Sequence, residues 1–352
     1  MKKSILALFL LALIAFGINA QTIRRVNNNL GISGVNVYTT IQAAHDAATA
    51  GDIIYIEPSS SSTPSYGDLI ATKQVDIIGN GYLMDKNSNT PFDNRTPQIG
   101  NLTFNKGSAN SSLTGINITG AMAINCNNIL VRRCWTSGIS MGANGTSPTT
   151  YGSYVTITQC LIRGAIYGSN SDPSGDNCTI SNNIIAGSPT QVVISGLNNS
   201  TFIYNTFMSL NYGQYGGQFA SVTGSVISNN IFDSRNYTYS SSIFSSDVGT
   251  TYSNNVCIGI SALPAGNGNI NAASPTNFYV NADPLANNGT IGDSVFQLGV
   301  GAVGGSIGAF SGNFPYRLSG NPPIPVITNF TTTGVGNSST PLNVSVTVRG
   351  NN

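Results

Sequence analysis

CTISNNIIAG, from Cys178 to Gly187, is the stretch that decides the fold, because related phrases recur along the chain. The two clearest copies are SVISNNIFDS, residues 225–234, and TTYSNNVCIG, residues 250–259. Weaker copies are ILVRRCWTSG at 129–138, VTITQCLIRG at 155–164 and TFIYNTFMSL at 201–210. A unit of this length that recurs along a chain is the signature of a stacked repeat architecture.

The copies have a nearly constant period. Alignment on the β-branched or aromatic residue before the polar pair gives steps of 26, 23, 23, 24 and 25 residues between six anchors: Val131, Ile157, Ile180, Ile203, Ile227 and Tyr252. A second apolar column follows four residues after the anchors: Trp135, Leu161, Ile184, Phe207, Ile231 and Val256. We predict that both columns face the interior of an all-β solenoid with one coil per repeat.

Two polar positions lie between the apolar columns. Two residues after the anchor stand Arg133, Gln159, Asn182, Asn205, Asn229 and Asn254. Three residues after it stand Cys134, Cys160, Asn183, Thr206, Asn230 and Asn255. Asn tolerates the left-handed backbone of a sharp bend, and stacked Asn side chains hydrogen-bond between layers. The pattern therefore predicts an asparagine ladder at a corner of the coil.

The N-terminal sequence MKKSILALFLLALIAFGINAQ indicates export. Two lysines precede an apolar run from Ile5 to Phe16, and small residues follow up to Ala20. This order is typical of a signal peptide, here residues 1–20. The run is shorter than the roughly 20 residues of a membrane span. We expect a bacterial protein that is secreted or held at the cell surface, without insertion into the membrane.

The composition disfavours some partners. Charged residues make up 8% of the chain and the net charge is +1, so the surface does not attract a polyanion such as nucleic acid. We expect a monomer. The chain has five cysteines, and an odd number leaves at least one thiol. Cys134 and Cys160 share a repeat position, and either a disulfide or two buried inward thiols fits the stacking.

The segments outside the repeats predict how the solenoid ends. Thr40 is a candidate N-cap for a short amphipathic helix that Gly51 would stop, in an N-terminal cap and first coil over residues 21–90. The parallel β-helix is expected over residues 91–320. A proline cluster at 322–325 marks a boundary, and residues 321–352 predict a two-strand appendage docked on the coils.

Two motifs resemble known proteins. TIQAAHDAATAGDIIYIEP (40–58) followed by KQVDIIGNG (73–81) resembles the opening of right-handed parallel β-helix proteins with the pectate-lyase-like fold. NADPLANNGTIGDSVFQLGVGAVGGSIGAFSGNFPYRLSG (281–320) resembles the closing coil of secreted bacterial members. The resemblance implies a right-handed parallel β-helix with a capping helix over nearly all of the mature chain.

The resemblance also implies where chemistry would lie. Active members of the family use the strand before the anchor strand, here approximately residues 121–125, 191–195, 218–222 and 242–247. The lyases hold calcium in an acidic cluster and use a basic residue, and the hydrolases use several aspartates with a histidine. The one histidine, His45, falls in the predicted capping helix, where we expect a surface residue.

Charged candidates for catalysis are few, and of these only Asp247 falls on the expected face. Asp172 and Asp176 share one loop, Asp233 and Arg235 form a candidate ion pair, and Asp247 stands alone. Calcium needs six to eight oxygens with several carboxylates, and glycoside hydrolysis needs two carboxyl groups about 5–10 Å apart. The sequence therefore predicts neither a cofactor nor a metal site. Calcium enters only under a lyase alternative.

Aromatic and amide residues beside the same face favour binding. Tyr212 and Tyr237 are 25 residues apart, and Tyr215 and Tyr239 are 24 apart, which matches the period. Stacked tyrosines near Gln191 and Gln218 suit a polysaccharide or cell-surface glycan, because rings pack on sugars and amides bind hydroxyls. These tyrosines could also simply pack along the outside of the coils.

Two functional hypotheses follow. The first is a non-catalytic exported β-helix that binds glycan or acts as a structural or adhesive surface protein. The alternative is a polysaccharide lyase or glycoside hydrolase with an atypical site, which depends on the resemblance of fold alone.

Overall fold

The chain forms a parallel β-helix whose successive coils contribute strands to three sheets. The structure is a computed structural model that describes residues 21–60, 66–142, 152–168, 175–187, 193–209, 219–235, 243–245, 247–259, 262–272, 276–281, 292–337 and 339–350. Within the three sheets the strand pairings are parallel and in register. The predicted all-β solenoid is therefore confirmed.

Sheet A has eleven strands and contains the anchors. In spatial order they are β2 (Val37–Tyr38), β1 (Ile23–Val26), β3 (Asp52–Ile56), β5 (Val75–Ile78), β8 (Ser112–Thr114), β11 (Leu130–Arg132), β14 (Thr156–Thr158), β17 (Thr179–Ser181), β20 (Thr201–Ile203), β23 (Val226–Ser228) and β26 (Thr251–Ser253).

Sheet B precedes sheet A in each coil and has eight strands. They are β4 (Leu69–Ala71), β7 (Leu102–Phe104), β10 (Met122–Ile124), β13 (Ile139–Met141), β16 (Ile166–Tyr167), β19 (Ile194–Ser195), β22 (Phe219–Ala220) and β25 (Phe244–Ser245). Sheet C follows sheet A and has nine: β6 (Gln98–Ile99), β9 (Asn117–Ile118), β12 (Trp135–Thr136), β15 (Leu161–Ile162), β18 (Ile184–Gly187), β21 (Thr206–Ser209), β24 (Ile231–Ser234), β27 (Val256–Gly259) and β28 (Ile270–Ala272).

One anchor prediction is wrong by a residue. Ile180 pairs with Phe202, and Phe202 with Ile227, so Phe202 takes the place assigned to Ile203. Phe202 is fully buried, whereas Ile203 points outward and is half-buried. A shift of one residue exchanges the two faces of a strand, and the burial of the larger ring fixes this register.

The corner between sheets A and C is left-handed, as the Asn pattern predicts. The corrected first polar position has φ between 53° and 57° in each copy: Arg133, Gln159, Asn182, Tyr204, Asn229 and Asn254. The second polar position points inward and is fully buried: Cys134, Cys160, Asn183, Asn205, Asn230 and Asn255. With Asn205 moved into this column, the predicted ladder is continuous from Asn183 to Asn255.

Five of the six members of the second apolar column face outward, which corrects the prediction that the whole column faces in; Phe207 alone faces inward as predicted. The inward residues of sheet C are Thr136, Ile162, Ile185, Phe207, Phe232 and Cys257. The outward residues Leu161, Ile184, Ile231 and Val256 are nonetheless buried, in a second core with Phe278, Phe296 and Tyr316. Both faces of sheet C are covered, so consecutive apolar residues suit it.

The cover is a segment that runs back along the solenoid, here called the strap, residues 304–321. Carbonyl groups of the strap accept hydrogen bonds from successive corner side chains. Ser306 accepts from Asn229 at 3.2 Å, Ser311 from Asn182 at 2.7 Å, and Pro315 from Gln159 at 2.6 Å. The motif expected to form a closing coil thus contributes this strap, which crosses the coils near their common corner.

The N-terminal end is closed by α1 (Ile41–Ala47). Thr40 caps it, because its Oγ1 accepts from the Ala43 amide at 3.2 Å. The helix ends at Ala47, before Gly51, whose φ of 91° serves the turn into β3. His45 is 1% exposed, which corrects its expected surface position. Its Nε2 accepts hydrogen bonds from the backbone amides of Thr72 and Lys73, at 3.1 and 3.3 Å.

The C-terminal hairpin pairs β29 (Val326–Thr332) with β30 (Val344–Arg349) in antiparallel fashion, as predicted. It contacts the solenoid at the loop after β5, where Phe92 lies 6.2 Å from the Phe330 ring and donates its amide to the Ile327 carbonyl. Asp293–Phe296 forms a short 3₁₀ helix before the strap, and Leu318–Gly320 forms a second one within the strap.

The five cysteines are thiols, and all are buried. Cys134 and Cys160 stack in the inward corner column, and the Cys134 amide lies 3.4 Å from Sγ of Cys160. The structure therefore favours inward thiols over the bridge between them. Burial raises the pKa of Cys178 to about 12 and that of Cys257 to about 11.

Candidate functional site

The strands expected to bear the active face form part of sheet B. The expected ranges correspond to the shorter strands β10, β19, β22 and β25. In that sheet β13 and β16 lie between β10 and β19, and β22 and β25 follow β19. Each strand directs one column of side chains outward, because its other residues enter the core. The candidate surface is therefore a single column along the stack.

This column, here called the sheet B face, is uncharged. From the N-terminal end it contains Ile70, Thr103, Ala123, Ser140, Tyr167, Ser195, Ala220 and Ser245. Ile70 and Ser245 are exposed and the others are half-buried. With adjacent coils about 4.8 Å apart, small side chains on either side of Tyr167 leave its ring accessible along the column.

Tyr167 was missed in the sequence analysis. It ends β16 and pairs with Ser140 on one side and Ser195 on the other. Burial raises its pKa. The signal in the sequence was the Ile-Tyr pair at 166–167, because an outward residue directly follows an inward isoleucine there.

The predicted glycan-binding residues lie outside the described residues: Tyr212, Tyr215, Tyr237, Tyr239, Gln191 and Gln218. The strands that flank their loops are described. β21 pairs with β24, and β22 pairs with β25, both in register. The strands that precede and follow these two stretches of sequence therefore occupy equivalent positions in adjacent coils.

The candidate carboxylates that the structure describes are dispersed. Asp176 lies at the corner between sheets B and A, where Asn198 donates to its Oδ1 at 3.3 Å. Asp247 lies at the same corner and accepts a hydrogen bond from the hydroxyl of Tyr252. The hydrogen-bonded stack at this corner is Asp176, Asn198, Thr223 and Val248. Val248, the neighbour of Asp247 in the chain, is three coil steps from Asp176, a distance of about 14 Å. Asp172 lies outside the described residues.

Asp233 and Arg235 form a structural ion pair on sheet C. Nη2 of Arg235 lies 2.7 Å from Oδ2 of Asp233, and Nε lies 3.0 Å from Oδ1. Asp233 is 4% exposed, and the guanidinium lies 5.4 Å from the ring centre of Tyr279. A bidentate pair this buried stabilises its surroundings, and loss of one partner typically costs about 3–5 kcal/mol. The pair does not face the sheet B column.

Metal ligands do not cluster in the part of the chain that the structure describes. There, no three histidine, cysteine or acidic side chains come close enough to hold an ion. A calcium site of the lyase type would need several carboxylates in one place, whereas Asp233 lies on sheet C and Asp176 at the opposite side of sheet A. Among the described residues, the carboxylates are therefore not gathered in a cluster of the lyase type.

Comparison of the chain with protein-family models, with curated proteins and with solved structures gave no match. Among the described residues, helices that combine the length and the apolar character needed to cross a bilayer are also absent. Function is therefore inferred from the side chains of this chain and from their placement in the three sheets.

Proposed function

We propose that the protein is an exported β-helix that binds an extracellular or cell-surface glycan, in a structural or adhesive role and without cleaving it. The proposed binding residues are those of the sheet B face together with Tyr212, Tyr215, Tyr237 and Tyr239. Export follows from the signal-peptide pattern in residues 1–20.

One observation carries the proposal, namely the register of the strands that flank the two loops. Phe207 pairs with Phe232 where the loops begin, and Phe219 pairs with Phe244 where they end. Residues 210–218 and 236–242 therefore connect strands that pair in register in adjacent coils. The spacing of 25 and 24 residues between their tyrosines matches the coil period, which supports several rings for a repeating saccharide, and multiple weak contacts along one chain add through effective concentration.

The chemistry of the surface suits a neutral sugar. Tyrosine rings contact the apolar face of a pyranose, and their hydroxyls reach polar partners. Serine and threonine on the sheet B face supply hydroxyl groups without charge. A non-catalytic role is favoured because three coil steps, about 14 Å, separate Asp176 from the residue beside Asp247, whereas paired glycosidase carboxyls lie roughly 5–10 Å apart.

The proposal is tested by pull-down on insoluble polysaccharides and by a glycan array with the purified full chain. The variants are Tyr212→Ala with Tyr237→Ala, and Tyr167→Ala alone. Loss of an aromatic anchor should weaken binding about tenfold or more, as at other hot spots. Phe314→Ala is the matched control, because this ring is 75% exposed on the strap and away from sheet B.

Two results would reject the proposal. One is the absence of binding to any glycan tested. The other is release of unsaturated products, detected by ultraviolet absorbance, or of reducing ends, which would establish the lyase or hydrolase alternative. In that case, activity that survives Asp176→Asn would remove this carboxylate from the catalytic site.

A further inference from the structure

A cleft of about 450 Å³ lies where the strap meets the C-terminal hairpin. Three arginines from separate parts of the chain line it. Arg133 comes from the corner between β11 and β12, Arg317 from the strap, and Arg349 from the end of β30. Its polar lining also includes Ser88, Asn89, Gln297 and Asn321. The cleft is on the sheet C side of the molecule and does not include the sheet B face.

Arg133 forms the fixed wall of the cleft. It is 4% exposed, and its Nε donates to Oε1 of Gln159 at 2.8 Å, while Nη1 donates to the carbonyl of Asn321 at 2.6 Å. Both of these acceptors are neutral groups, and they orient the guanidinium. Burial, together with the positive charges of Arg132 and Arg317, lowers the pKa of Arg133 to about 10. Arg132 and Arg317 thus add positive charge near this wall.

A carboxylate behind the wall offsets part of this charge. Asp293 is fully buried and accepts hydrogen bonds from the Tyr316 hydroxyl at 2.7 Å, the Ser319 amide at 2.9 Å and Asn87 at 2.6 Å. Tyr316, which lines the cleft, separates Asp293 from it. The three guanidinium groups that line the cleft therefore outnumber this carboxylate.

We propose that this cleft binds a phosphate or sulfate group, a tetrahedral oxyanion with a charge close to −2. The guanidinium fork matches two oxygens of such a group at once, and a phosphate monoester carries about −1.5 to −2 at neutral pH. Arg317 and Arg349 are exposed, line the same cleft and come from separate parts of the chain. This site goes beyond the glycan-binding function, because it uses none of the tyrosines or the sheet B face.

Occupancy of the cleft would join the hairpin to the solenoid. Arg349 belongs to the hairpin, whereas Arg133 belongs to the coil corner. The hairpin otherwise contacts the loop after β5 through Phe92 and Phe330. An anion bridging these arginines should therefore slow hydrogen exchange in β29 and β30, in addition to producing a binding signal.

The test is isothermal titration of the full chain with inorganic phosphate and with sulfate, at ionic strength held constant with chloride. Arg317→Gln and Arg349→Gln should each weaken binding about tenfold, as expected for loss of charge-assisted hydrogen bonds. Arg95→Gln is the matched control, because this exposed arginine pairs with Asp93 and does not line the cleft. Glucose 6-phosphate and glucose 6-sulfate, with glucose as blank, distinguish an esterified group from the free ion.

Tighter binding of the esters than of the free ions would identify a modified sugar or similar ester as the ligand, and the reverse order would identify the free ion. Both support the site. Equal loss of binding in Arg95→Gln, unchanged binding in both cleft variants, or no heat with either anion at millimolar concentration would overturn it. Failure here leaves glycan binding by the tyrosine variants unaffected, so the two proposals fail separately.

Discussion

The side-chain amide of Asn183 donates a 3.0 Å hydrogen bond to Oδ1 of Asn205, and both residues are fully buried. The same oxygen accepts from the backbone amide of Asn183, also at 3.0 Å. Asn205 in turn donates to Oδ1 of Asn230 at 3.0 Å and to the Ile180 carbonyl at 2.8 Å. Each coil thus satisfies polar groups of its neighbour, and the ladder fixes the register of the stack inside an apolar core.

Asn205→Ala should destabilise the protein by about 3–5 kcal/mol, because two donors of Asn183 lose their acceptor inside the core. The midpoint of urea unfolding, followed by circular dichroism, measures this. Asn343→Ala is the control, because Asn343 is exposed in the hairpin. Equal midpoints for the two variants would show that the ladder does not stabilise the stack.

Gly320→Ala should disrupt the attachment of the strap. A Cβ at Gly320 would lie 2.3 Å from Cε1 of Tyr82 and 2.5 Å from the Arg133 carbonyl, at a φ of 55°. Gly334→Ala is a matched control, since its φ is 70° and nothing lies within 4 Å of the added carbon. Both variants incur the left-handed backbone cost of about 1–2 kcal/mol. Only Gly320→Ala should lose more, and thermal unfolding of the pair isolates the clash.

The sequence predicts the stacking of the coils well because a buried anchor followed by a left-handed corner position recurs in every copy. The error at Ile203 arose from Tyr204, which occupies a left-handed corner position held by Asn in three neighbouring copies. Alignment of Asn205 with Asn183 and Asn230 would have given the correct register. Burial of Phe202 selects it in the structure.

The outward column of sheet C could not be assigned in the same way. Pairs such as Leu161 with Ile162, and Ile184 with Ile185, show that both faces of this sheet are apolar. They do not show what covers the outer face. The cover comes from the strap, which is glycine-rich, lacks a strand pattern and contacts coils more than 100 residues earlier in the chain. The three-arginine cleft could not be predicted for the same reason, because it forms where the strap runs back along the solenoid.

His45 should make the N-terminal cap sensitive to acid. Burial lowers its pKa below the ordinary 6.5, so the folded state prefers the neutral ring. Its contribution to stability is present above about pH 6.5 and is lost as the pH falls through the lowered folded value. Protonation also replaces an acceptor with a donor opposite the amides of Thr72 and Lys73.

The measurement for His45 is the hydrogen exchange of the Thr72 and Lys73 amides, corrected for intrinsic rates, between pH 7.5 and 5. Protection should fall in the natural chain. His45→Gln keeps an acceptor and removes the titration, so its protection should stay constant across this range. Parallel loss of protection in both proteins would assign the effect to another group.

The buried thiols should make the solenoid sensitive to alkali. Burial raises the pKa of Cys178 from 9.0 to about 12 and that of Cys257 to about 11, so the folded state prefers the protonated thiols. Their stabilisation is complete below about pH 9 and is lost as the pH rises toward the folded values. At pH 10.5 the Cys178 thiol alone should remove about 2 kcal/mol of stability.

Urea midpoints at pH 7.5, 9 and 10.5 should therefore fall more steeply in the natural chain than in Cys178→Ala, whose lower stability at pH 7.5 serves as its own baseline. Identical slopes would show that this thiol titrates in the folded state as it does in the unfolded chain.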